Sequence, residues 1–298
     1  MIIASLIGLS LAAFLIYRIR NSQQLEAPTP AADSLVRIDN FDLFYQDSGK
    51  GLPILFLHGI GASSFCWRYQ LEDLANSYRV IALDLPGFGR SSKHTDAEYT
   101  LESQTNRIIQ FIEKLQLKDF VIVGSSMGGL LGLSLAQHFN TRIKSLILLA
   151  PAVEPKIVPA GLSRIGWTSS FLMPIMTRGL IERIMRRVNA NKDNLSSDVV
   201  TRYYEPYTQK EALVTFIKSI KTLRNRNIKR LIQQNQVPTL TLYGAKDNMV
   251  PLWVMQSLDK KLKDNTLRVN SEAGHHLQED DHQWTNQQIR EFLTSKLN

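Results

Sequence analysis

Short apolar runs and longer amphipathic stretches alternate along this chain of 298 residues. The apolar runs, bounded by turn-forming residues, predict strands at 35–38, 41–46, 53–58, 79–84, 120–124, 145–150, 237–243 and 266–270. Helical periodicity predicts helices at 64–76, 97–116, 127–139, 250–262 and 281–297. Buried runs that alternate with helices favour a mostly parallel, eight-stranded sheet with helices on both faces. The first two strands are closely joined, so we expect them to form an antiparallel edge.

One apolar run leads into the sequence Gly-Ser-Ser-Met-Gly-Gly at 124–129, and an apolar helical stretch follows. Ser126 is the centre of a Gly-x-Ser-x-Gly motif, in which Gly124 and Gly128 have no side chains to collide in a sharp strand-to-helix turn. Such a turn holds the serine Oγ out of the sheet, beside a helix N-terminus. Ser126 is therefore the predicted nucleophile, whereas its neighbour Ser125 is not centred between the two glycines.

A serine hydroxyl needs a base to accept its proton and an acid to orient that base. Asp247 follows the seventh predicted strand, and His275 follows the eighth. The chain order serine, aspartate, histidine is one of the orders known for such triads. His276 competes with His275 for the role of base, and we favour His275 because the preceding Gly274 frees the backbone of its loop.

Backbone amides are the expected donors to the oxyanion that forms when a serine attacks a carbonyl group. One amide belongs to Met127, the residue after the nucleophile. The other is assigned to Ile60, because glycines on both sides let its loop bend toward the serine. His58 precedes this loop and is outside the chain order of the triad, so we expect it to be structural.

These motifs together resemble the α/β-hydrolase fold family. The resemblance covers about residues 35–298 and rests on Leu57-His58-Gly59, the stretch from Asp84 to Ser92, the turn at 124–129, Gly244 with Asp247, and Gly274-His275. It implies Ser126 as nucleophile, His275 as base and Asp247 as orienting acid. The amides of Ile60 and Met127 would form the oxyanion hole.

The same resemblance excludes some chemistries. Dehalogenases and epoxide hydrolases of this fold carry an aspartate at the position of Ser126, which argues against both activities. The stretch that begins at Asp84 is similar to a structural loop of the family, so no chemistry is assigned to this aspartate.

The alternation of strands and helices breaks between 151 and 232, where the fold accepts a cap over the nucleophile. We expect a helical cap at about 152–232 within a hydrolase domain that spans 34–298. Apolar residues are dense in this segment: Trp167, Phe171, Leu172, Met173, Met176, Ile181, Ile184 and Met185. Most are expected to pack the cap onto the sheet, and a few to line a slot for an acyl chain.

The distribution of charged residues bears on whether the protein binds nucleic acid or a membrane surface. The chain has a net charge of +8, yet residues 156–230 alone hold 15 Lys or Arg against 5 Asp or Glu. We expect no nucleic-acid partner, because no recognition motif accompanies this charge. A basic cap near the active-site entrance is instead expected to approach anionic lipid headgroups. Equal binding to neutral and anionic vesicles would contradict that expectation.

The first 20 residues predict a membrane anchor. Residues 2–17 carry no charge, and Arg18 and Arg20 follow at once. At about 1.5 Å per residue the run would reach roughly 24 Å as a helix, close to the thickness of a bilayer core. Arginines after the run, and none before it, favour an uncleaved anchor with the enzyme on the cytoplasmic face. A cleaved signal and a secreted or periplasmic enzyme are the alternative, and residues 21–33 predict a linker.

Other reactive residue types are assigned no chemistry. Cys66 is the only cysteine, so it forms no internal disulfide, and no glycine turn surrounds it. The stretch 275–282 is rich in potential metal ligands, but His275 is used by the triad. The acidic residues of this stretch are expected in the first turn of the last helix, where they suit its dipole. We therefore expect neither a metal nor a cofactor.

The sequence thus predicts a serine hydrolase that cleaves small-molecule carboxylic esters through an acyl-enzyme. An anchor followed by a capped domain is similar to membrane-anchored monoacylglycerol lipases of the family, which implies lipid-like acyl esters. A lactonase, a meta-cleavage hydrolase of carbon–carbon bonds and a cofactor-free haloperoxidase are the alternative enzymes. A slow-turnover small-molecule receptor with a retained triad is the alternative of another class. Acyl chain length, alcohol moiety and oligomeric state are left open.

Overall fold

The structure, a computed structural model, describes residues 35–157 and 176–297. The predicted anchor at 1–20 and the predicted linker at 21–33 lie outside the described residues. So do four apolar residues of the predicted cap, which are Trp167, Phe171, Leu172 and Met173. Within the two described ranges, no helix combines the length and the apolar character needed to cross a bilayer.

Eight strands form one sheet. They are β1 (Leu35–Ile38), β2 (Phe41–Ser48), β3 (Pro53–Leu57), β4 (Arg79–Leu83), β5 (Phe120–Ser125), β6 (Ile143–Leu149), β7 (Thr239–Gly244) and β8 (Asn265–Asn270). Their order across the sheet is β1-β2-β4-β3-β5-β6-β7-β8. Strand β2 pairs antiparallel with β1 and β4, and all other pairs are parallel. The predicted fold class and the predicted antiparallel edge are confirmed.

The central strands are buried on both faces, which explains their unbroken apolar sequences. The pairing register of the strands determines which of the loops that carry the predicted site residues lie next to each other. Leu57 at the end of β3 lies opposite Gly124 of β5, so the loop after β3 meets the turn that carries the predicted nucleophile. Gly244 at the end of β7 lies opposite Asn270 of β8, so the next two loops also meet. Because these strands are parallel, all four loops leave the same edge of the sheet.

Ten α-helices occur in the described ranges. They are α1 (Arg68–Leu74), α2 (Leu101–Lys114), α3 (Met127–His138), α4 (Arg178–Val188), α5 (Ser197–Tyr204), α6 (Lys210–Leu223), α7 (Ile228–Gln234), α8 (Leu252–Asp259), α9 (Leu277–Asp280) and α10 (His282–Leu297). Several begin later than predicted. Helix α2 begins at Leu101 because the side chain of Thr100 caps it and accepts a hydrogen bond from the Ser103 amide.

Helices α4 to α7 all belong to the insertion between β6 and β7, whose described residues contain no strand. Helix α4 shows why these segments fold as helices. Ile181, Met185 and Val188 recur at helical spacing and are buried, while Arg183 and Arg187 lie on the exposed face. The segment predicted as a cap, about 152–232, lies between β6 and β7, and its action as a cap stays a prediction.

Candidate active site

The turn between β5 and α3 holds Ser126 in an unusual backbone conformation. Its φ is 52° and its ψ is −112°, a left-handed φ that is uncommon for a residue with a Cβ atom. The Ser126 amide donates to the Leu149 carbonyl at 2.9 Å, and its carbonyl accepts from the amides of Gly129 and Ala152 at 3.1 and 3.0 Å. These bonds from the end of β6, from α3 and from the insertion hold the strained residue in place.

Glycines are required around this turn. A Cβ atom on Gly124 would lie under 3.0 Å from the Gly128 carbonyl, and a Cβ on Gly128 would lie under 3.0 Å from the Leu57 carbonyl. A Cβ on Gly59 would lie 3.1 Å from the Cβ of Ser126. The backbone of β3 and its loop therefore approaches the serine as closely as sterics permit, as the sequence motif predicted.

His275 and Asp247 form a hydrogen-bonded pair. The distance from His275 Nδ1 to Asp247 Oδ2 is 2.8 Å, and the two side chains are 7% and 0% exposed. The other oxygen of Asp247 accepts from the amides of Met249 and Val250 at 2.6 and 3.0 Å. This carboxylate therefore holds the proton of His275 on Nδ1, which leaves Nε2 as a free base. The His275 amide donates to the Val188 carbonyl at 2.9 Å and ties its loop to α4.

Ser126 and His275 line one cavity of about 290 Å³. Ile60 lines it as well, and Met127 follows the serine. Neither the Ile60 amide nor the Met127 amide donates to an acceptor among the described residues. The structure thus brings the three predicted triad residues and the two predicted amides to one edge of the sheet.

His58 is structural, as predicted. Its Nδ1 donates to the Gly59 carbonyl at 2.7 Å, and its Nε2 accepts from the Leu85 amide at 2.9 Å. Both ring nitrogens are therefore committed to backbone groups. Burial lowers the pKa of His58, which keeps the ring neutral in this role.

The prediction that the acidic residues of 275–282 lie in the first turn of the last helix is wrong for Glu279 and Asp280. The last helix begins at His282, and both carboxylates are buried in the short helix α9 before it. Asp280 accepts hydrogen bonds from the amides of Gly274 and Ala190 at 2.7 and 2.9 Å. It therefore joins the histidine loop to the insertion.

Glu279 is the centre of a second polar cluster that the sequence did not reveal. It pairs with Arg68, accepts from the Tyr203 hydroxyl at 2.6 Å, and contacts His276 Nδ1 at 3.1 Å. Burial raises the pKa of Glu279, but the bond with His276 and the charge of Arg68 outweigh burial and hold that pKa below its usual value. Only the spacing of His276 and Glu279, three residues apart, could have signalled part of the cluster.

Cys66 lies next to this cluster and has no sign of reactivity. Burial, and then the charge of Glu279, raise the pKa of the Cys66 thiol well above its usual value. A protonated thiol is a poor nucleophile. The absence of a catalytic role, expected from the sequence, agrees with this environment.

The chain belongs to the α/β-hydrolase fold family, whose model matches residues 53–282. It is 25% identical to a 2-hydroxymuconate semialdehyde hydrolase from Pseudomonas sp. (strain CF600), over 77% of this chain and 82% of that one. It is also 25% identical to a pimeloyl-[acyl-carrier protein] methyl ester esterase from Vibrio vulnificus (strain YJ016), over 78% of this chain and 91% of the relative.

Among solved structures, a membrane phospholipase A superposes with a TM-score of 0.75 at 22% identity, over 100% of this chain and 98% of that chain. A likeness at this identity shows the fold alone. The two enzymes named by sequence are hydrolases of different bonds. The family and these relatives support a hydrolase, without specifying the bond that it cleaves.

Replacement of Gly128 tests the close approach at the serine turn. Gly128→Ala forces a Cβ atom against the backbone of β3, so we expect a loss of about 1–3 kcal/mol in the free energy of unfolding, together with loss of hydrolysis. Urea denaturation followed by circular dichroism measures the first effect, and the rate of substrate hydrolysis measures the second.

Gly179→Ala is the matched control. Gly179 lies in α4, and among the described residues the only heavy atom within 4 Å of an added Cβ, apart from the backbone of the helix itself, is Thr177 Oγ1 at 4.0 Å. Because alanine is the better helix former, we expect a gain of about 0.5–1 kcal/mol. A Gly128→Ala variant with native stability and turnover would contradict the geometry described for the turn.

Proposed function

We propose that this protein is a serine hydrolase that cleaves carboxylic esters of apolar acyl groups. One observation carries the proposal. His275, which is hydrogen-bonded to Asp247, and the strained Ser126 line the same apolar cavity. A nucleophile, a base and an orienting acid in this arrangement suit acyl transfer.

The reaction would proceed in two halves. His275 Nε2 accepts the proton of the Ser126 hydroxyl while Oγ attacks the carbonyl carbon of the ester. Asp247 keeps its hydrogen bond with His275 Nδ1 and stabilises the imidazolium that forms. The amides of Ile60 and Met127 donate to the oxyanion, and the imidazolium then protonates the departing alcohol. Water attacks the acyl-enzyme with His275 as base, which releases the acid and restores the serine.

The cavity supports an apolar acyl group as substrate. Besides backbone at Gly59 and Gly61, its described lining is mostly aliphatic and aromatic: Ile60, Ala62, Ala152, Ile157, Met176, Ile181, Ile184, Met185, Val188, Phe216, Leu223, Met249 and Val250. Ile184 and Met249 are 44% and 48% exposed, so apolar side chains extend from the cavity to the surface. An acyl chain that moves from water into this space gains about 0.8 kcal/mol per methylene group.

Cleavage of a carbon–carbon bond is the second candidate, because one relative is a 2-hydroxymuconate semialdehyde hydrolase. The same three residues could serve that reaction. The described lining of the cavity contains no Lys or Arg, however, and so offers no cationic side chain to an acidic substrate such as a muconate semialdehyde. This observation favours the ester.

Loss of the serine hydroxyl tests the proposed nucleophile. Ser126→Ala removes the attacking oxygen from a buried site without adding volume, so we expect native circular dichroism and a fall of about 10⁴-fold or more in kcat for a p-nitrophenyl ester. Steady multiple turnover by the unmodified protein distinguishes an enzyme from a slow receptor. Retention of most activity in Ser126→Ala would refute the assignment.

The two adjacent histidines provide an internal comparison. His275→Ala removes the base, whereas His276→Ala leaves the pair of His275 and Asp247 in place. We expect the first variant to lower kcat by at least about 100-fold more than the second. The opposite ranking would show that His276 is the base.

The apolar cavity predicts a dependence on acyl chain length. We expect kcat/KM to rise about threefold to fourfold per added methylene group until the cavity is filled. Leu223 lines the cavity, and Leu223→Trp should fill part of it. In this variant kcat/KM should stop rising at a shorter acyl chain. Leu297→Trp, at an exposed position on α10, is the matched control and should leave the series unchanged. A flat series in the unmodified protein would contradict an acyl-binding role.

A further inference from the structure

The described lining of the cavity contains few polar side chains. Those with nitrogen or oxygen atoms are Ser126, Tyr203, Tyr207, His275 and His276. The hydroxyl of Tyr207 donates to the Gly61 carbonyl at 3.1 Å, and the hydroxyl of Tyr203 donates to Glu279 at 2.6 Å. Once the proposed triad is set aside, His276 alone among these side chains keeps a polar atom without a described partner.

The free atom of His276 is Nε2. Its other nitrogen, Nδ1, contacts Glu279 Oε2 at 3.1 Å. Glu279 pairs with the guanidinium of Arg68 and accepts from the Tyr203 hydroxyl, so it meets His276 as a carboxylate, which only accepts hydrogen bonds. Nδ1 must therefore carry the proton. In a neutral imidazole with this tautomer, Nε2 presents a lone pair and acts as an acceptor.

His276 is also placed beside the part of the substrate that leaves. The ring centroids of His275 and His276 are 5.8 Å apart, and both rings line the cavity. In the proposed reaction His275 protonates the departing alcohol, so the alcohol part of the ester lies against this pair of rings. His276 Nε2 is then within reach of a substituent close to the ester oxygen.

We propose that His276 binds the alcohol part of the substrate, with Nε2 accepting a hydrogen bond from a free hydroxyl group near the ester oxygen. This inference rests on the proposed function. It specifies the substrate class as partial esters of a diol or a polyol, in which an apolar acyl chain is joined to an alcohol that keeps at least one hydroxyl.

The charges of the cluster favour a hydroxyl over an anion. Arg68 already compensates Glu279, and the described lining contributes no Lys or Arg. A carboxylate or phosphate near Nε2 would face a lone pair and a nearby carboxylate without a compensating cation. A hydroxyl group instead supplies the proton that Nε2 lacks. Tyr203, whose ring stacks on His276 at a centroid distance of 6.2 Å, helps to fix the imidazole.

A matched pair of esters tests the subsite. A 2-hydroxyethyl ester and an n-propyl ester of the same fatty acid differ by a hydroxyl in place of a methyl group. The quantity measured is the ratio of kcat/KM for the hydroxyethyl ester to that for the propyl ester. His276→Asn keeps a donor at the position of Nδ1 for Glu279 but loses the acceptor at Nε2, so we expect the ratio to fall about threefold to tenfold.

His276→Gln places an amide oxygen near the position of Nε2 and should restore part of the ratio. His282→Asn makes the same substitution at a histidine outside the described lining of the cavity, where the ring stacks on Tyr69, so it should leave the ratio unchanged. A ratio measured for His276→Asn or for His276→Gln is compared with that of the unmodified protein only if the circular dichroism spectrum of the variant is native. An unchanged ratio in His276→Asn, or a preference of the unmodified protein for esters that carry a carboxylate on the alcohol, would overturn the subsite.

The same assay separates the two proposals. If the unmodified protein hydrolyses both esters, and does so only with Ser126 present, the proposed function stands whatever the ratio shows. If neither ester is hydrolysed, or if Ser126→Ala hydrolyses them as the unmodified protein does, the proposed function fails and the subsite fails with it.

Discussion

The hydrogen bond between His275 and Asp247 is the interaction on which the site depends. It joins loops that follow two neighbouring parallel strands, β7 and β8, whose register sets Gly244 opposite Asn270. A Cβ atom on Gly244 would collide with the carbonyls of Ala273 and Gly274, so the two loops pack backbone against backbone. A buried carboxylate with two backbone amides on its other oxygen cannot turn away from the histidine without leaving those amides unpaired.

Two histidine–carboxylate pairs therefore stand side by side at this edge of the sheet. Asp247 holds His275 from the loop after β7, and Glu279 holds His276 from α9. Both carboxylates fix the proton of their imidazole on Nδ1, but only Glu279 also pairs with an arginine, Arg68. The two rings are accordingly proposed for different roles, one in proton transfer and one in recognition of the alcohol. The surrounding apolar lining strengthens both sets of hydrogen bonds, because little water competes for them.

Much of this arrangement was predictable from local sequence. The apolar runs gave the eight strands, and the glycines around Ser126 predicted a turn whose steric need the structure confirms. The chain order of Ser126, Asp247 and His275 is visible in the sequence because each follows a strand signal. The edge pairing of β1 and β2 followed from the short connection between them.

The second cluster was not predictable by the same means. Arg68 and Glu279 are separated by 211 residues, and no periodicity links them. Tyr203 comes from the insertion, where no strand register fixes the position of a side chain. The acidic residues before the last helix matched a simple helix-dipole pattern, and burial with specific partners overrode that pattern for Glu279 and Asp280. Long-range pairing of this kind is decided by tertiary packing.

Covalent labelling with a fluorophosphonate tests the central claim most directly. In the native protein, peptide mass mapping should find one adduct, on Ser126 and not on Ser125. In Asp247→Asn the orienting carboxylate is lost while the shape of the side chain is kept, so labelling should slow by about 10⁴-fold. An adduct on another residue, or an unchanged rate in Asp247→Asn, would contradict a serine activated by this pair.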